Sequence, residues 1–537
     1  MKKRQNLLGL LSISIAAVLI FTSCTSKPGK STTTVDGSST SSNSKFLCSN
    51  KPVTLTAHIH WGNVYVLNDN WTITKEAAKM TNISLKGTAS QAETDSKQAF
   101  NLMIASKNIP DIVGGNRDDI NKYGTEGAFV PLNNLIDKYA PHIKSFLNEN
   151  PDVKAAITAS DGNIYQIPTV YRSSISEGWF IRKDWLDKLN LKVPTTVDEL
   201  HDALKAFVTK DPNGNGKPDE VGVFTRLAGA QDNKVLSVLS LFGVSDYWHT
   251  NANGKVELGL YTPEYKQAIK NVSKWYSEGL MIDKEIFTRG SNSRDILFQA
   301  NNGGVIHDWI PSTSSYNTKI ASKVPGFKLV GMLPPKDING NQWEVANRDK
   351  LPGSGWSMSS NNKHQTETMK YMDFWYTDEG VRLSTYGIEG DTYTMVDGKP
   401  QYTDKVLKAS NPINDYMRKI GGQIEDMGYL HDASYENFMT DDEGRKTIEL
   451  YQNSGVINKM NVKLPPLGFS EKELDIVTSK YPTCRTYMLE QLQKWTLDGS
   501  SIDGEFDKYM STLKSMGIED VISVYQTAYD KIKSEMK

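Results

Sequence analysis

Short apolar runs of strand length alternate along this chain with longer stretches of helical periodicity, and this alternation most restricts its fold. Residues 53–57 and 111–113 have the pattern of strands, whereas residues 93–106 and 131–139 have the pattern of helices. Strands that alternate with helices are typical of α/β units built on a mostly parallel sheet. The chain has 537 residues, enough for more than one such domain.

Two of the predicted helices can be placed in detail. In the segment 261–279, Thr262 is a suitable N-cap, Pro263 suits the first helical position, and Gly279 ends the periodic pattern. Trp275 falls on its apolar face and is expected in the core. Residues 366–376 have the same periodicity. Core positions are also expected for Trp185, Trp375 and Trp495.

The amino terminus has the layout of a secretory signal peptide. Three positive charges at residues 2–4 precede a fifteen-residue apolar run, 7–21, which is followed by small residues and Cys24. This run is shorter than the roughly 20 residues of a membrane-spanning helix, and no later run is long and apolar enough to be one. We therefore predict that residues 1–23 are a signal peptide and that the rest of the chain is exported.

Residues 21–24 resemble the lipobox of bacterial lipoproteins, although Phe21 stands where an aliphatic residue is usual. The resemblance implies cleavage before Cys24 and attachment of palmitate-type lipid to that cysteine. Ordinary signal cleavage that leaves a free cysteine is the alternative. Residues 25–45 are mostly Ser, Thr, Gly and Lys, a composition typical of flexible coil, with a reach on the order of 25 Å. We therefore expect residues 24–48 to tether a folded body to a membrane.

Charge and cysteine content exclude several classes of protein. The formal net charge is −2, and it becomes −5 when the three positive charges of residues 1–23 are removed. This balance does not favour binding to nucleic acid or to an anionic lipid surface. Apart from Cys24, only Cys48 and Cys484 are present, so the chain is not a disulfide scaffold. A bridge between these two cysteines is left open.

Residues 211–220 form the strongest chemical motif. Oxygen-bearing side chains at its first, third and fifth positions, a glycine at the sixth, and carboxylates at the ninth and tenth suit a hard cation such as Ca²⁺. An EF-hand needs a glutamate at the twelfth position, where Gly222 stands, so Glu220 would have to serve instead. A solvent-exposed turn is the alternative. We predict a structural calcium ion whose ligands are Asp211, Asn213, Asn215, Asp219, Glu220 and the backbone carbonyl of Lys217.

Several blocks of sequence resemble the lipoprotein branch of the family 1 extracellular solute-binding proteins. They occur in order between about residue 50 and the carboxyl terminus, together with the cation loop. The blocks include residues 161–168, 178–186, 193–200, 386–390, 393–395, 464–467, 516–518 and 525–529.

The resemblance implies an α/β, two-lobed fold of the type II periplasmic-binding-protein kind, with ligand in a cleft between lobes that close over it. It implies that the closed form docks on the permease of an ABC importer, that the ligand is a carbohydrate, and that the protein is a monomer. The first lobe is expected to comprise residues 49–165 and 310–375, and the second lobe residues 166–309 and 376–537.

Aromatic residues agree with a carbohydrate ligand. The chain has 11 Trp and 24 Tyr, more than the predicted helix cores use, and flat aromatic faces stack on the apolar faces of sugar rings. Candidates are the tryptophans in Gly-, Ser- or Pro-rich surroundings, together with two acids that could accept hydrogen bonds from hydroxyl groups. These ligand-binding candidates are Trp61, Trp179, Trp248, Trp309, Trp356, Asp308 and Glu389.

Three other functions are considered. A polysaccharide-active enzyme is disfavoured because no GxSxG, HExxH or phosphate-binding glycine loop is present, and we predict no catalytic residues. His58 and His60 share one strand face and could serve a metal-uptake receptor. A receptor for a peptide or another non-sugar solute is the most serious alternative, since a fold does not fix its ligand. The expected location is outside the cytoplasm, on the outer face of the cell membrane or in a periplasm.

Overall fold

A computed structural model describes residues 46–172, 175–226, 235–281, 292–345, 349–410 and 412–535. The predicted signal peptide, Cys24 and most of the predicted tether lie outside these residues. Two β-sheets, each with its own apolar core, organise the described chain. Each sheet, together with its core, forms one lobe, and we call these the first and second lobes. No helix in the described ranges is both long enough and apolar enough to cross a membrane.

The strands are mostly short. In chain order they are β1 (Val53–His58), β2 (His60–Trp61), β3 (Tyr65–Val66), β4 (Ile83–Gly87), β5 (Ile112–Asn116), β6 (Ile167–Pro168), β7 (Val170–Tyr171), β8 (Glu177–Arg182), β9 (Val221–Phe224), β10 (Trp248–Thr250), β11 (Val256–Leu258), β12 (Gly303–Trp309), β13 (Leu329–Met332), β14 (Ser354–Met358), β15 (Tyr393–Val396), β16 (Lys399–Tyr402), β17 (Leu430–His431) and β18 (Val462–Lys463).

Helices surround both sheets. In chain order they are α1 (Thr72–Thr81), α2 (Ser96–Ala105), α3 (Arg117–Thr125), α4 (Asn133–Tyr139), α5 (Pro141–Glu149), α6 (Pro151–Ile157), α7 (Lys183–Lys188), α8 (Val197–Thr209), α9 (Val235–Leu239), α10 (Glu264–Ser277), α11 (Ser293–Gln299), α12 (Ile310–Ser314), α13 (Tyr316–Lys319), α14 (Gln365–Phe374), α15 (Asp378–Tyr386), α16 (Asp404–Leu407), α17 (Ile413–Lys419), α18 (Glu436–Met439), α19 (Asp442–Ser454), α20 (Glu471–Leu497), α21 (Ile502–Ser515) and α22 (Ile518–Glu535).

The first lobe contains a five-stranded sheet in the order β4-β1-β5-β14-β6. Strands β4, β1 and β5 are parallel, and β14 runs antiparallel to β5. Helices α1 and α2 form the crossover connections between the parallel strands. Parallel strands need a connection long enough to return the chain to the same end of the sheet, and this is usually a helix. The core of this lobe also includes α14 and α15, with Trp356 and Trp375 fully buried.

The second lobe contains a four-stranded sheet in the order β13-β8-β12-β9. All six residues of β8 are buried, and so are the first six of β12. Strands buried on both faces need a cover on each side. Helices α8, α10 and α20 contribute to the core on one face, and α11 and α13 contribute to the core on the other.

The chain passes between the two lobes three times, because its core residues alternate between them. The passages fall between β7 and β8, between β13 and β14, and between β17 and α19. The expected lobe ranges differ from this packing in three places. Residues 166–171 were expected in the second lobe, yet β6 is hydrogen-bonded to β14 in the first-lobe sheet and Val170 lies in the core of the first lobe. Strand β13 was expected in the first lobe, yet it is hydrogen-bonded to β8 in the second. Residues 376–435 were expected in the second lobe, yet their apolar side chains lie in the core of the first.

The predicted helices are present with small shifts at their ends. Helix α10 begins at Glu264, with Pro263 rather than Thr262 as its cap, and it ends before Gly279, whose φ is +72°. Trp275 is 4% exposed, and the other three tryptophans expected in cores are at most 1% exposed. Cys48 and Cys484 are both buried and free, and each lies in the core of a different lobe.

Candidate functional site

Each sheet presents one edge to the segments that pass between the lobes. In the first lobe this is the carboxyl edge of β1 and β5, level with the start of β14. In the second lobe it is the carboxyl edge of β9 and β12, level with the start of β8. Ligands of open α/β sheets bind outside the carboxyl ends of parallel strands. These two edges are therefore the candidate walls of one site.

Trp61 lies at the first-lobe edge, in the short strand β2 that follows β1. Its half-buried indole stacks on Tyr65, with ring centroids 5.5 Å apart, and the Arg418 guanidinium lies 4.8 Å from its centroid. Tyr65 is fixed in turn by a 2.7 Å hydrogen bond that its hydroxyl donates to Asp415. Trp61 lines a pocket of about 190 Å³ together with Asn116. This arrangement holds an aromatic surface rigidly at a pocket wall.

A buried acid closes the same pocket from behind. Asp426 is 5% exposed and packs on Gly114 of β5, where a Cβ atom would lie 2.6 Å from the Asp426 carbonyl oxygen. Only glycine permits this approach. Burial raises the pKa of Asp426 to about 8, and the charge of Glu425 adds to this effect, although a hydrogen bond with Ser354 opposes it. The first-lobe pocket therefore contains a carboxyl group that is largely protonated at neutral pH.

A larger pocket of about 620 Å³ lies beside the first one, between β1 and α2. The two pockets share His58, which is buried and whose Nε2 atom has no hydrogen-bond partner among the described residues. Burial lowers the pKa of His58 to about 4, so the imidazole is neutral. His60 instead bonds to Ser96 Oγ and to the Glu93 carbonyl. Both histidines of the predicted pair line the 190 Å³ pocket, but they differ in their hydrogen bonds.

The second-lobe edge carries ionisable groups on both faces of β12. On one face His307 lies between Glu344, 3.1 Å from its Nε2, and Glu177, 3.8 Å from its Nδ1. This trio lines a pocket of about 220 Å³ that also includes Trp343 and Tyr247. On the other face Asp308 Oδ2 accepts a 2.8 Å hydrogen bond from Arg294.

The predicted ligand residues are only partly gathered at these edges. Trp61 lies at the first edge, and Asp308 and the half-buried Trp309 lie at the second. Trp179 and Trp356 are at most 1% exposed and belong to the cores. Trp248 stacks on Tyr525 with centroids 4.0 Å apart, in a cluster that joins α6 to α22. Glu389 is exposed, beside the hairpin of β15 and β16.

Other residues at the edges were missed by the sequence reasoning. Arg226 follows the buried strand β9 by two residues, and Asn116 ends β5. A search for polar residues directly after each short apolar run would have found both, because such residues fall at the carboxyl edge. Asp426 lies in a single 3-10 turn, Glu425–Met427, and Glu344 lies outside the helices and strands, so no local pattern marks either residue.

The predicted cation loop 211–220 is a tight, oxygen-rich turn. The Asp211 carboxylate accepts hydrogen bonds from the backbone N–H groups of Gly214, Asn215 and Gly216. The amide groups of Asn213 and Asn215 lie 3.0 to 3.2 Å from Asp219. The loop joins the amino ends of β9 and β12, because Val221 donates a 2.8 Å hydrogen bond to the Asn302 carbonyl.

The donor set of this loop fits a hard cation. Glu220 Oε2 is buried and has no hydrogen-bond partner among the described residues. Burial raises the pKa of Glu220, and the negative charges of Asp211 and Asp219 raise it further, against opposing backbone hydrogen bonds. Within the described part of the chain, no three His, Cys, Asp or Glu side chains already converge as a metal centre. Three neighbouring carboxylates and two amides nevertheless offer the oxygen ligands that Ca²⁺ prefers.

Known proteins share both the sequence and the fold. A crystal structure described as alginate-binding protein AlgQ2 without calcium ion is 38% identical, with a TM-score of 0.76, and the match covers 90% of this chain and 99% of that one. The fructooligosaccharide ABC transporter substrate-binding protein FusA of Streptococcus pneumoniae is 27% identical over 86% of this chain and 87% of its own length. The polygalacturonan/rhamnogalacturonan-binding protein YtcQ of Bacillus subtilis is 24% identical over 86% and 88%.

A family assignment covers more than half of the chain. Residues 72–400 match the family described as bacterial extracellular solute-binding protein. That range includes most of the first sheet, the whole second sheet and the cation loop. The predicted family and the two-lobed α/β fold are thereby confirmed. This chain belongs to the bacterial extracellular solute-binding protein family.

Proposed function

We propose that this protein captures a carbohydrate between its two lobes and delivers it to the permease of an ABC importer, without making or breaking a bond in the ligand. The proposal rests mainly on Trp61, a partly exposed indole held at the first-lobe edge by Tyr65 and Arg418. An aromatic surface next to polar groups suits a sugar ring, which has apolar faces and hydroxyl edges. The names of the relatives, which bind alginate, fructooligosaccharide or polygalacturonan, support the same class of ligand.

The test is a binding titration with two readouts. The chain without residues 1–23 is titrated with panels of oligosaccharides, peptides and metal ions. Binding is followed by tryptophan emission and calorimetry, and lobe closure by small-angle scattering. We expect at least one saccharide to bind, to reduce the radius of gyration, and to be recovered unchanged. Closure by a peptide or a metal ion alone, or release of reducing ends from a saccharide, would refute the proposal.

Calcium is proposed as a structural ion in the loop 211–220. The buried, unpartnered Glu220 Oε2 and the neighbouring Asp211 and Asp219 carboxylates support it. Asn213, Asn215 and the Lys217 carbonyl would complete the ligand set. When bound, the ion would supply positive charge that offsets the repulsion among the carboxylates. It takes no part in ligand chemistry, because the loop lies at the amino ends of β9 and β12, opposite the candidate site.

Attachment to a membrane is proposed through Cys24. The short apolar run before it, the lipobox-like residues 21–24 and the polar segment after it support a lipid anchor that holds the protein outside the cytoplasm. Mass spectrometry of the membrane-extracted protein tests this point. We expect a diacylated amino-terminal cysteine, and loss of both the lipid and membrane retention in Cys24→Ala. An unmodified amino terminus at another residue would contradict it.

A further inference from the structure

Three cations gather beside Asp308 at the second-lobe edge. Arg226 lies two residues beyond the end of β9, Arg294 lies in the first turn of α11, and Lys319 ends α13. In the parallel pairing of β9 with β12, Phe224 is opposite Ile306, so Arg226 falls level with Asp308. The cluster therefore lies at the carboxyl ends of two parallel strands, where a ligand is expected.

Asp308 already forms a hydrogen-bonded ion pair with one of these cations, Arg294. Its Oδ2 accepts a 2.8 Å hydrogen bond from Arg294 Nη1, which also donates to Ser312 and Thr313. Arg226 Nη1 is 3.6 Å from Asp308 Oδ1, beyond hydrogen-bond distance, and the Arg226 side chain is 35% exposed. Arg226 is therefore near enough to be oriented by Asp308, but its donors remain largely available.

Lys319 has no ion-pair partner in the described part of the chain. Its Nζ lies 5.2 Å from the centroid of the Tyr316 ring, and Arg294 lies 5.3 Å from the same centroid. Burial lowers the pKa of Lys319, and the positive charges of Arg294 and Arg226 lower it further, against the opposing charge of Asp295. The three cations thus repel one another, and Asp308 and Asp295 are fewer than the cations that they face among the described residues.

We propose that the bound saccharide is acidic and that Arg226 and Lys319 hold a uronate carboxylate of this ligand at the second-lobe edge. This inference rests on the proposed function. An arginine presents a planar fork that matches a carboxylate, whereas a lysine supplies a point charge from a second direction. Two further acids of the same edge, Glu177 and Glu344, face His307 on the other face of β12, away from Asp308 and the cation cluster. Arg294 is a positioning residue, because its Nη1 bonds to Asp308, Ser312 and Thr313.

The experiment compares each saccharide with its carboxyl-reduced form. Oligouronates of several linkages are tested by calorimetry before and after reduction of every carboxylate to a primary alcohol, so that only the charge and one oxygen change. Sulfated neutral oligosaccharides form a third arm. We expect one oligouronate to bind roughly tenfold or more tightly than its reduced form, and to lose affinity as NaCl is raised. The sulfated arm is expected to bind no better than the reduced form.

Variants test whether the tighter binding of the oligouronate depends on the cation cluster. Arg226→Gln and Lys319→Gln are each expected to weaken oligouronate binding roughly tenfold and to leave binding of the reduced form unchanged. Lys323→Gln removes one positive charge from an exposed neighbouring position and is the matched control, expected to change neither. Circular dichroism and melting temperatures verify that each variant is folded.

The outcomes separate this inference from the proposed function. A neutral saccharide that binds as tightly as any uronate, with affinity unchanged in Arg226→Gln and Lys319→Gln, overturns the acidic-ligand inference and leaves carbohydrate capture standing. Tightest binding of a sulfated saccharide overturns the assignment to a carboxylate. Failure of every saccharide to bind overturns the proposed function instead.

Discussion

The two edges that form the candidate site differ in chemistry. The first-lobe edge is aromatic, with Trp61 stacked on Tyr65 and the buried Asp426, whose pKa is raised to about 8, behind them. The second-lobe edge is ionic, with His307 between two glutamates on one face of β12 and the Arg226 cluster on the other. A stacking surface accepts many sugars, whereas fixed charges discriminate among them. On the proposed function, this contrast predicts that the first lobe supplies general affinity and the second lobe supplies selectivity.

The largest expected effect is on the free energy of unfolding. It distinguishes Trp356, in the core of the first lobe, from Trp61, at the edge of the same lobe. Trp356 is fully buried and packs against Tyr371 and Gly428. Truncation of such an indole leaves a cavity, so Trp356→Ala should lower the free energy of unfolding by about 3–5 kcal/mol. Urea denaturation of Trp356→Ala and Trp61→Ala measures the difference, and equal losses would contradict the assignment of Trp61 to the surface.

Calcium should stabilise the second lobe specifically. At a free concentration of 100 times its dissociation constant, one ion adds about 2.7 kcal/mol to the free energy of unfolding. A chelator should therefore lower the melting temperature of the wild-type protein. In Asp211→Ala and Glu220→Ala, the melting temperature should already be lower without chelator, and it should not change when chelator is added.

Asp432→Ala, which removes a carboxylate from the first lobe, is the control for this calcium experiment. It should keep the response of the wild-type protein to the chelator. If the two loop variants also keep that response, the loop does not hold the ion.

The buried acid of the first lobe should make stability depend on pH. Because the pKa of Asp426 rises to about 8 on folding, the native state retains a proton between about pH 4 and 8 that the unfolded chain has lost. Stability should then fall as pH rises through this window, by at most about 1.4 kcal/mol per pH unit. Asp426→Asn should flatten this dependence and should be more stable than the wild type at pH 8. Urea denaturation at pH 5, 6.5 and 8 with calcium held constant is the measurement, and parallel profiles would contradict the assignment.

The smallest expected effect concerns the aromatic surface itself. Trp61→Ala should weaken saccharide binding roughly tenfold, because aromatic stacking contributes about 0.5–1.5 kcal/mol beyond the area that it buries. Trp61→Phe should restore part of the affinity. Trp248→Ala is the matched control, since the indole of this half-buried tryptophan stacks on Tyr525 and lines neither edge pocket, so the affinity should stay unchanged. An equal loss in both alanine variants, measured by calorimetry, would remove Trp61 from the site.

Sequence periodicity was enough to predict the α/β fold, helix α10 and the four core tryptophans, because these depend on local patterns of apolar residues. Trp179 and Trp356 were expected at the ligand because they stand among glycines. In the structure those glycines permit close packing: a Cβ atom at Gly355 would lie 2.3 Å from the Ile167 carbonyl oxygen, and one at Gly178 would meet the Tyr451 ring. Glycine-rich surroundings therefore marked tight strand packing, which only the pairing of distant strands reveals.

The lobe ranges could not be predicted for a related reason. Strand β13 and residues 376–435 pack in sheets and cores whose other members are far away along the chain. No local sequence pattern indicates which of the two lobes such a segment joins.

The three passages between the lobes bear on how this molecule is made. The first sheet lacks β14 until residue 358 has been synthesised, and its core still lacks Tyr435 until residue 435 has followed. The second core is completed only by α20 and α22. Neither half can therefore mature as the chain emerges from the ribosome or the export channel, and contacts of such long sequence separation form slowly. We therefore expect the cores to be completed only after nearly the whole chain has been synthesised, so the yield should depend more on chaperones that delay collapse than on the stability of either half.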